Sequence, residues 1–248
     1  RQSVQFKTHA DTEFILRGYE AWGLEGLLPR LRGMFAFAVW DAREGRLFLA
    51  RDPHGIKPLY WSDSGGVLRF ASQVQALLAG GTLPRRVSPG GLVGFLLWGS
   101  VPEPFTFYQG IRELPAGCSL VVDHGGAREP RTFWRLGDAL AASIESARAI
   151  PAGEEIAVLR AALIDSVRAH LVADVPVGAF LSAGLDSSTL VGLAREAGLD
   201  IQTFTVTATE LRGKNSDEAP HAAEIARHFD VPHKVVELTL EHAHEGVP

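Results

Sequence analysis

Residues Val177 to Ala194 read VGAFLSAGLDSSTLVGLA. A mostly apolar run, VGAFLS, passes directly into the helical pattern DSSTLVGLAREAG, closed at Gly198. The first is the mark of a buried strand, the second of a helix. Upstream, EEIAVLRAALIDSVRAHLVA sets Ile156, Leu159, Leu163, Val167 and Leu171 along one helical stripe. Downstream, IQTFTVT predicts a second strand, SDEAPHAAEIARHF a helix capped at Ser216 or Asp217, and HKVVELTL a third strand. The order β-α-β-α-β predicts a parallel sheet with crossover helices. Such sheets bind ligands beyond the carboxyl ends of their strands, and the turn Ser182 to Ser188 lies at one of those ends.

The chemistry of that turn narrows the ligand. A helix start carries unpaired backbone N–H groups and partial positive charge, so it attracts phosphate. Gly184 allows a bend and a close approach, and Ser182, Ser187 and Ser188 add hydroxyls. Asp186 would repel phosphate unless a cation lay between them, so pyrophosphate together with Mg²⁺ is the economical fit. The same residues also fit a capped buried helix with Asp186 as its N-cap. Other nucleotide motifs are absent: ATELRGKN lacks the first glycine and the Ser/Thr of a Walker loop, and no dinucleotide fingerprint follows a strand. AFLSAGL does not match the Gly-x-Ser-x-Gly elbow of a serine hydrolase.

The preceding sequence has another rhythm. A helix is expected over ADTEFILRGYEAWGLEGLLPRLRG, capped by Asp11 or Thr12, with Phe14, Ile15, Leu16, Tyr19 and Trp22 as its apolar positions. Two strands follow around a turn at Ala42 to Gly45, then a strand–turn–strand ending in RFAS. SQVQALLAGG and LVGFLLWG predict short helices, and further short strands run to FWRL. Residues 139–153 are small, weakly patterned and interrupted by Pro151, which suggests a linker. In ARDPHGIKPLYW, Gly55 suits a tight turn across which Arg51 and Asp52 could pair.

Composition bounds the rest. The 248 residues are 46% hydrophobic and 21% charged with a net charge of −5, ordinary for one or two globular domains. No block of Lys/Arg points to nucleic acid, and no run of about eighteen apolar residues points to a membrane span. The one cysteine, Cys118, excludes an internal disulfide and fits a reducing cytoplasm. It opens a strand and reads as a buried small hydrophobe. His221, His228, His233, His242 and His244 lack the spacing of a helical zinc pair and read as solvated surface groups. The chain begins at Arg1 without Met and ends at HEGVP, which reads as a segment of a longer polypeptide.

LSAGLDSS resembles the pyrophosphate loop of ATP pyrophosphatases that make adenylates. VPVGAFLSAGLDSS, TFTVT and SDEAPHAAEIARHFDVPHKVVEL together resemble glutamine-hydrolysing asparagine synthetases more narrowly. Independently, LRGMFAFAVWDAREGRLFLARDPHGIKPLYW and RFAS resemble the second half of that family's glutaminase domain. The resemblance implies a truncated layered α/β/β/α class II glutamine amidotransferase domain over residues 1–138. The linker and the start of a doubly wound parallel-sheet adenine-nucleotide domain, residues 154–248, would follow. It implies two linked activities: glutamine hydrolysis, and ATP-dependent activation of the aspartate β-carboxylate as an adenylate that ammonia converts to asparagine, releasing AMP and pyrophosphate.

Carried over by residue, Asp11 matches the aspartate that holds the glutamine α-amino group. Asp186 matches a Mg²⁺ and pyrophosphate-side aspartate, and Ser182, Gly184, Ser187 and Ser188 match the pyrophosphate cradle. Leu181 and Val206 match positions whose backbone meets adenosine. ATP and Mg²⁺ are the implied cofactors, glutamine and aspartate the implied substrates, and a homodimer is left open. The nucleophilic Cys would lie upstream of Arg1 and a Ser-Gly-Glu motif beyond Pro248, so this segment alone is expected to be inactive. Ala183 stands where the first loop glycine is usual, tolerable with a negative φ and its methyl turned from phosphate. Thr207 replaces a common Gly and Gln73 a usual Glu. Two alternatives stay open: a relative that adenylates another carboxylate, and a non-catalytic nucleotide-binding module.

Overall fold

A computed structural model describes residues 6–8, 10–211, 213, 214 and 216–239, and the chain divides into two units, Arg1–Arg148 and Ala149–Pro248. In chain order the first unit contains α1 (Asp11–Leu27) with a 3-10 turn (Leu28–Arg30), β1 (Ala36–Asp41), β2 (Arg46–Arg51), β3 (Tyr60–Ser64) and β4 (Val67–Ala71). There follow α2 (Val74–Ala79), α3 (Pro89–Trp98), β5 (Arg112–Glu113), β6 (Cys118–Asp123), β7 (Gly126–Ala127), β8 (Arg131–Thr132) and α4 (Leu136–Arg148).

Alternation along the strands builds the layers. The first sheet runs β1-β2-β6-β7, with β8 also on β6, and the second runs β4-β3-β5; every pairing is antiparallel. Leu49, Leu120 and Val122 point from the first sheet onto Trp61 of the second. Their neighbours Phe48, Ala50 and Val121 point the other way, onto Tyr19, Leu24 and Leu28 of α1 and its following turn. Tyr60 and Ala71 turn outward from the second sheet onto Val74, Leu77 and Leu78 of α2. The order is therefore α1, sheet, sheet, α2. Two glycines with positive φ, Gly65 (65°) and Gly66 (72°), make the two-residue turn between β3 and β4, the backbone that a tight hairpin requires. The Tyr19 hydroxyl donates to Asp41 at 2.8 Å and ties α1 to the end of β1. Burial, reinforced by that bond, pushes the Tyr19 pKa up to about 12.

Two local expectations, a cap and an ion pair, are corrected, and the expected linker, which contains the boundary between the units, gains a helix. Neither Asp11 nor Thr12 caps α1: its N-cap is Ala10, which makes no side-chain cap bond. Residues 136–148, largely inside the expected linker, form α4, none of whose residues is buried. Arg51 and Asp52 do not pair with each other. Arg51 reaches Glu103 (2.7 Å), Glu113 (2.9 Å) and the carbonyls of Gly55, Lys57 and Leu114. Asp52 instead accepts the amides of His54, Ile56 and Lys57 at 2.9–3.0 Å. Gly55 is needed here, because its φ is 63° and a Cβ would lie 2.9 Å from Arg51 Nη2.

The second unit holds α5 (Glu155–His170), β9 (Gly178–Phe180), α6 (Leu185–Glu196), β10 (Gln202–Ala208) with a 3-10 turn (Thr209–Leu211), α7 (Ala219–His228) and β11 (His233–Leu238). Its sheet, β11-β10-β9, is parallel throughout. Leu181 and Ala179 pack against Val191 and Ala194 of α6 and Ala222 and Ala226 of α7, with Val167 of α5 in the same core. α6 and α7 therefore cover one sheet face, where Thr203, Thr205 and Thr207 are also buried. The start of α7 differs slightly from expectation. Its N-cap is Glu218, while Asp217 accepts the Ala219 amide at 3.2 Å from one residue further back.

Candidate pyrophosphate loop and glutamine-site residue

β9 delivers the chain to the loop and α6 takes it away. The Leu181 amide donates to Phe204 O at 2.8 Å and the Leu181 carbonyl accepts the Thr205 hydroxyl, so the last residue before the loop is locked to β10 on both sides. Phe180 is level with Phe204, and continuing that register by two residues sets Val206 beside Ser182. Leu181 faces the core while Val206 is half exposed on the opposite sheet face. The fold thus brings Leu181, Val206 and Ser182 to Ser188 together at the carboxyl edge of the sheet.

The bend in the loop is made by Ala183, with φ 58°, and not by Gly184, whose φ of −71° is ordinary extended backbone. The expectation of a negative φ at Ala183 is overturned. Its methyl does turn away from the loop mouth, since Ala183 packs against the core shared by α6 and α7. Gly184 is the N-cap of α6 and provides no side chain, so Asp186 is not the cap; it is the second residue of the helix.

The loop hydroxyls are engaged with one another. Ser187 Oγ donates to Gly184 O at 3.2 Å and Ser188 Oγ to the same carbonyl at 2.7 Å. Ser182 Oγ and Ser187 Oγ lie 3.1 Å apart, and Ser187 Oγ also accepts the Ser182 amide. A ligand would have to turn these hydroxyls to use them. The backbone offers more. The first i→i−4 bond of α6 runs from Ser188 N to Gly184 O at 3.1 Å, so the amides of Leu185, Asp186 and Ser187 precede any intrahelical acceptor. They sit at the positive end of a twelve-residue helix. The Asp186 carboxylate is exposed beside them and bonds to no other described side chain, which leaves a hard oxygen ligand free.

Nearby, Thr207 Oγ1 donates to Asp217 Oδ1 at 3.3 Å, and the same carboxylate accepts the Gly213 and Ala219 amides. The hydroxyl that replaces a common glycine therefore ties the end of β10 to the start of α7. His233 departs from the solvated reading: its Nδ1 lies 3.0 Å from Thr203 Oγ1, its Nε2 is buried without a partner, and burial lowers its pKa. His242 and His244 lie outside the described residues. In the first unit, Asp11 is exposed in the first turn of α1 and accepts the Thr12 hydroxyl at 3.3 Å. Cys118 is buried at the start of β6, against Thr132.

Residues 1–134 match the glutamine amidotransferase domain family and residues 158–248 the asparagine synthase family. The chain belongs to the asparagine synthetase family. A Mycobacterium tuberculosis relative, provisionally named a glutamine-hydrolysing asparagine synthetase, is 39% identical over 230 residues, 90% of this chain and 34% of its own length. Asparagine synthetase 1 of Bacillus subtilis is 32% identical over 203 residues, 81% of this chain and 30% of its own. A Penicillium rubens protein named amidase chyE is 33% identical over 195 residues, 77% of this chain and 27% of its own. The chain thus spans about a third of the length of these relatives. Two features of this asparagine synthetase-family chain are not legible in its sequence: the left-handed Ala183 and the Thr205 lock on Leu181. Neither leaves a pattern in a single sequence, because both depend on how the strand ends meet.

Proposed function

We propose that this chain belongs to an ATP-dependent, glutamine-hydrolysing amide ligase that forms asparagine from aspartate. The observation that carries the reading is the loop between β9 and α6: three first-turn amides and an exposed carboxylate, set at the carboxyl edge of a parallel sheet, in a chain whose other unit is amidotransferase-like. The amides of Leu185, Asp186 and Ser187 would take pyrophosphate oxygens, with Ser182, Gly184, Ser187 and Ser188 forming the wall of the cradle. Leu181 and Val206, at the adjoining strand ends, would border adenosine. Asp186 would hold Mg²⁺ jointly with phosphate oxygens, and the metal supplies charge neutralisation to the leaving pyrophosphate. Adenylation turns the aspartate β-carboxylate, a poor electrophile, into one with a good leaving group. Asp11, exposed on the amidotransferase unit, would receive the α-ammonium of glutamine.

The acceptor is the part of the reading with a rival. A relative named an amidase is as similar as the B. subtilis synthetases, so a different carboxylate is the second reading. The full-length protein with ATP, Mg²⁺ and ammonia distinguishes them. Aspartate-dependent formation of AMP is the expected result. AMP formed only when another carboxylate is supplied selects the second reading, and no AMP with any carboxylate removes both.

A further inference from the structure

The start of α1 is secured by a side chain three residues inside the helix. Ala10, its N-cap, has no side-chain oxygen to accept a first-turn amide. The Glu13 carboxylate turns back instead and accepts the Lys7 amide at 3.0 Å on each oxygen, the Thr8 amide at 2.7 Å and the Thr8 hydroxyl at 2.7 Å. Thr8 Oγ1 in turn accepts the Ala10 amide at 3.3 Å, and the Glu13 amide donates to the Ala10 carbonyl at 3.1 Å. Arg17 Nε stands 3.6 Å behind the carboxylate, one turn along. Phe6 stacks on Phe14 with ring centroids 6.2 Å apart, closing the same strap from its other end.

Glu13 and Asp11 have opposite situations. The Glu13 side chain is only 14% exposed and its acceptor positions are filled by the strap. Asp11, two residues earlier, is exposed and among the described residues holds only the neighbouring Thr12 hydroxyl. One carboxylate is built into the fold and the other is left for a cation. The direction in which Asp11 points is set by the backbone of residues 10 and 11, and that backbone is fixed by the bonds converging on Glu13 and Thr8.

We propose that Glu13 is a positioning residue for glutamine: it fastens the strap carrying Lys7, Thr8 and Ala10 to the first turn of α1 and so aims the Asp11 carboxylate at the glutamine α-ammonium. The inference rests on the reading of Asp11 given above. An ammonium contact is made equally in the ground and transition states, so losing its aim raises KM and leaves kcat near its original value. A displacement of about 1 Å in a charged clamp is enough to cost one to two orders of magnitude.

The experiment measures glutamine KM and kcat, together with ammonia-dependent synthesis, in the full-length protein and its Asp11→Asn, Glu13→Ala and Glu13→Gln variants. The expected result is a glutamine KM raised about tenfold in Glu13→Ala, with kcat within about threefold and ammonia-dependent synthesis kept. Glu13→Gln, which retains one acceptor oxygen for the strap amides, should fall between; it also serves if the alanine variant does not fold. A wild-type KM in both Glu13 variants, with KM raised in Asp11→Asn, overturns the inference and leaves the Asp11 reading intact. A wild-type KM in Asp11→Asn overturns both. Loss of kcat and of ammonia-dependent synthesis together with KM would make Glu13 a folding element only, and also overturns the proposal.

Discussion

Ala183 shows two opposed contributions at one residue. A non-glycine residue in the left-handed region costs about 1–2 kcal/mol, and Ala183 has φ 58°. Its methyl packs on the core, worth about 0.8 kcal/mol, and glycine would add roughly 0.5–1 kcal/mol of entropy loss on folding. The terms nearly cancel, so Ala183→Gly should change stability by less than about 1 kcal/mol in a urea titration. Because the methyl faces the core, Mg-ATP affinity of the full-length protein should also stay within about threefold by equilibrium binding. A tenfold gain would mean that the methyl lies in the ligand's path.

Glu13 has a signature in pH. Its pKa falls from the ordinary 4.5 to about 2, first through the Lys7 amide and then through the Thr8 hydroxyl. A folded pKa below the unfolded one means that the strap contributes its stability above about pH 4.5 and loses it as pH falls toward 2. The protonation midpoint of Glu13, followed by carboxyl NMR, should therefore lie near 2. A midpoint near 4.5 would mean that the strap is open in solution.

At the scale of elements, the Arg51 cluster holds the two sheets of the first unit together. From the end of β2 its guanidinium, 5% exposed, spans Glu103 and Glu113 of β5. Burial raises the Glu113 pKa and Arg51 opposes that rise. Removing a partner from a buried pair leaves an uncompensated charge, so Arg51→Ala should destabilise the unit by about 3–5 kcal/mol. Arg51→Lys should also be costly, because one ammonium cannot reproduce five directed contacts. Urea unfolding followed by fluorescence measures both, and a loss under about 1 kcal/mol would mean that the cluster is hydrated and weak.

The same elements show what a single sequence makes legible. The hairpins could be read because turn glycines at Gly45, Gly65 and Gly66 separate alternating strands, and turn chemistry is local. The parallel sheet was legible from the strand–helix alternation around LSAGLDSS. The Arg51 partners were not, since Glu103 is 52 residues away and Asp52 is adjacent. α4 was read as linker because its small residues bury nothing, and without a buried face there is no apolar period to read. The caps of α1 and α7 were placed on the nearest polar residue. In the structure no side chain caps α1, whose Glu13 instead binds the preceding Lys7 and Thr8 amides, and the Ala219 amide of α7 is accepted by Asp217, one residue before the cap. The loop was placed correctly in the sheet, but the residue that bends it is the alanine and not the glycine.

At the scale of the whole chain, the two units have separate cores of unequal quality. The first is layered, with Leu27, Leu49, Leu114 and Leu120 fully buried. The second has a parallel sheet covered on one face, while Phe180, Val206 and Val236 on the other are 78%, 48% and 36% exposed. Parallel sheets are ordinarily covered on both faces, so in this 248-residue segment by itself the second unit should unfold first. All five tryptophans (Trp22, Trp40, Trp61, Trp98 and Trp134) lie in the first unit, which lets fluorescence report on it alone. In urea, far-UV circular dichroism should begin to fall before tryptophan fluorescence changes; coincident curves would mean that the two units unfold as one.

We propose that the β9–α6 loop, with Asp186, binds pyrophosphate and Mg²⁺ during aspartate activation. Exchange of labelled pyrophosphate into ATP, followed in the full-length protein with aspartate and Mg²⁺ and without ammonia, tests it most directly. Aspartate-dependent exchange should fall by roughly 100-fold or more in Asp186→Ala, while the circular dichroism spectrum is unchanged. Exchange that persists in Asp186→Ala at the wild-type rate would contradict it.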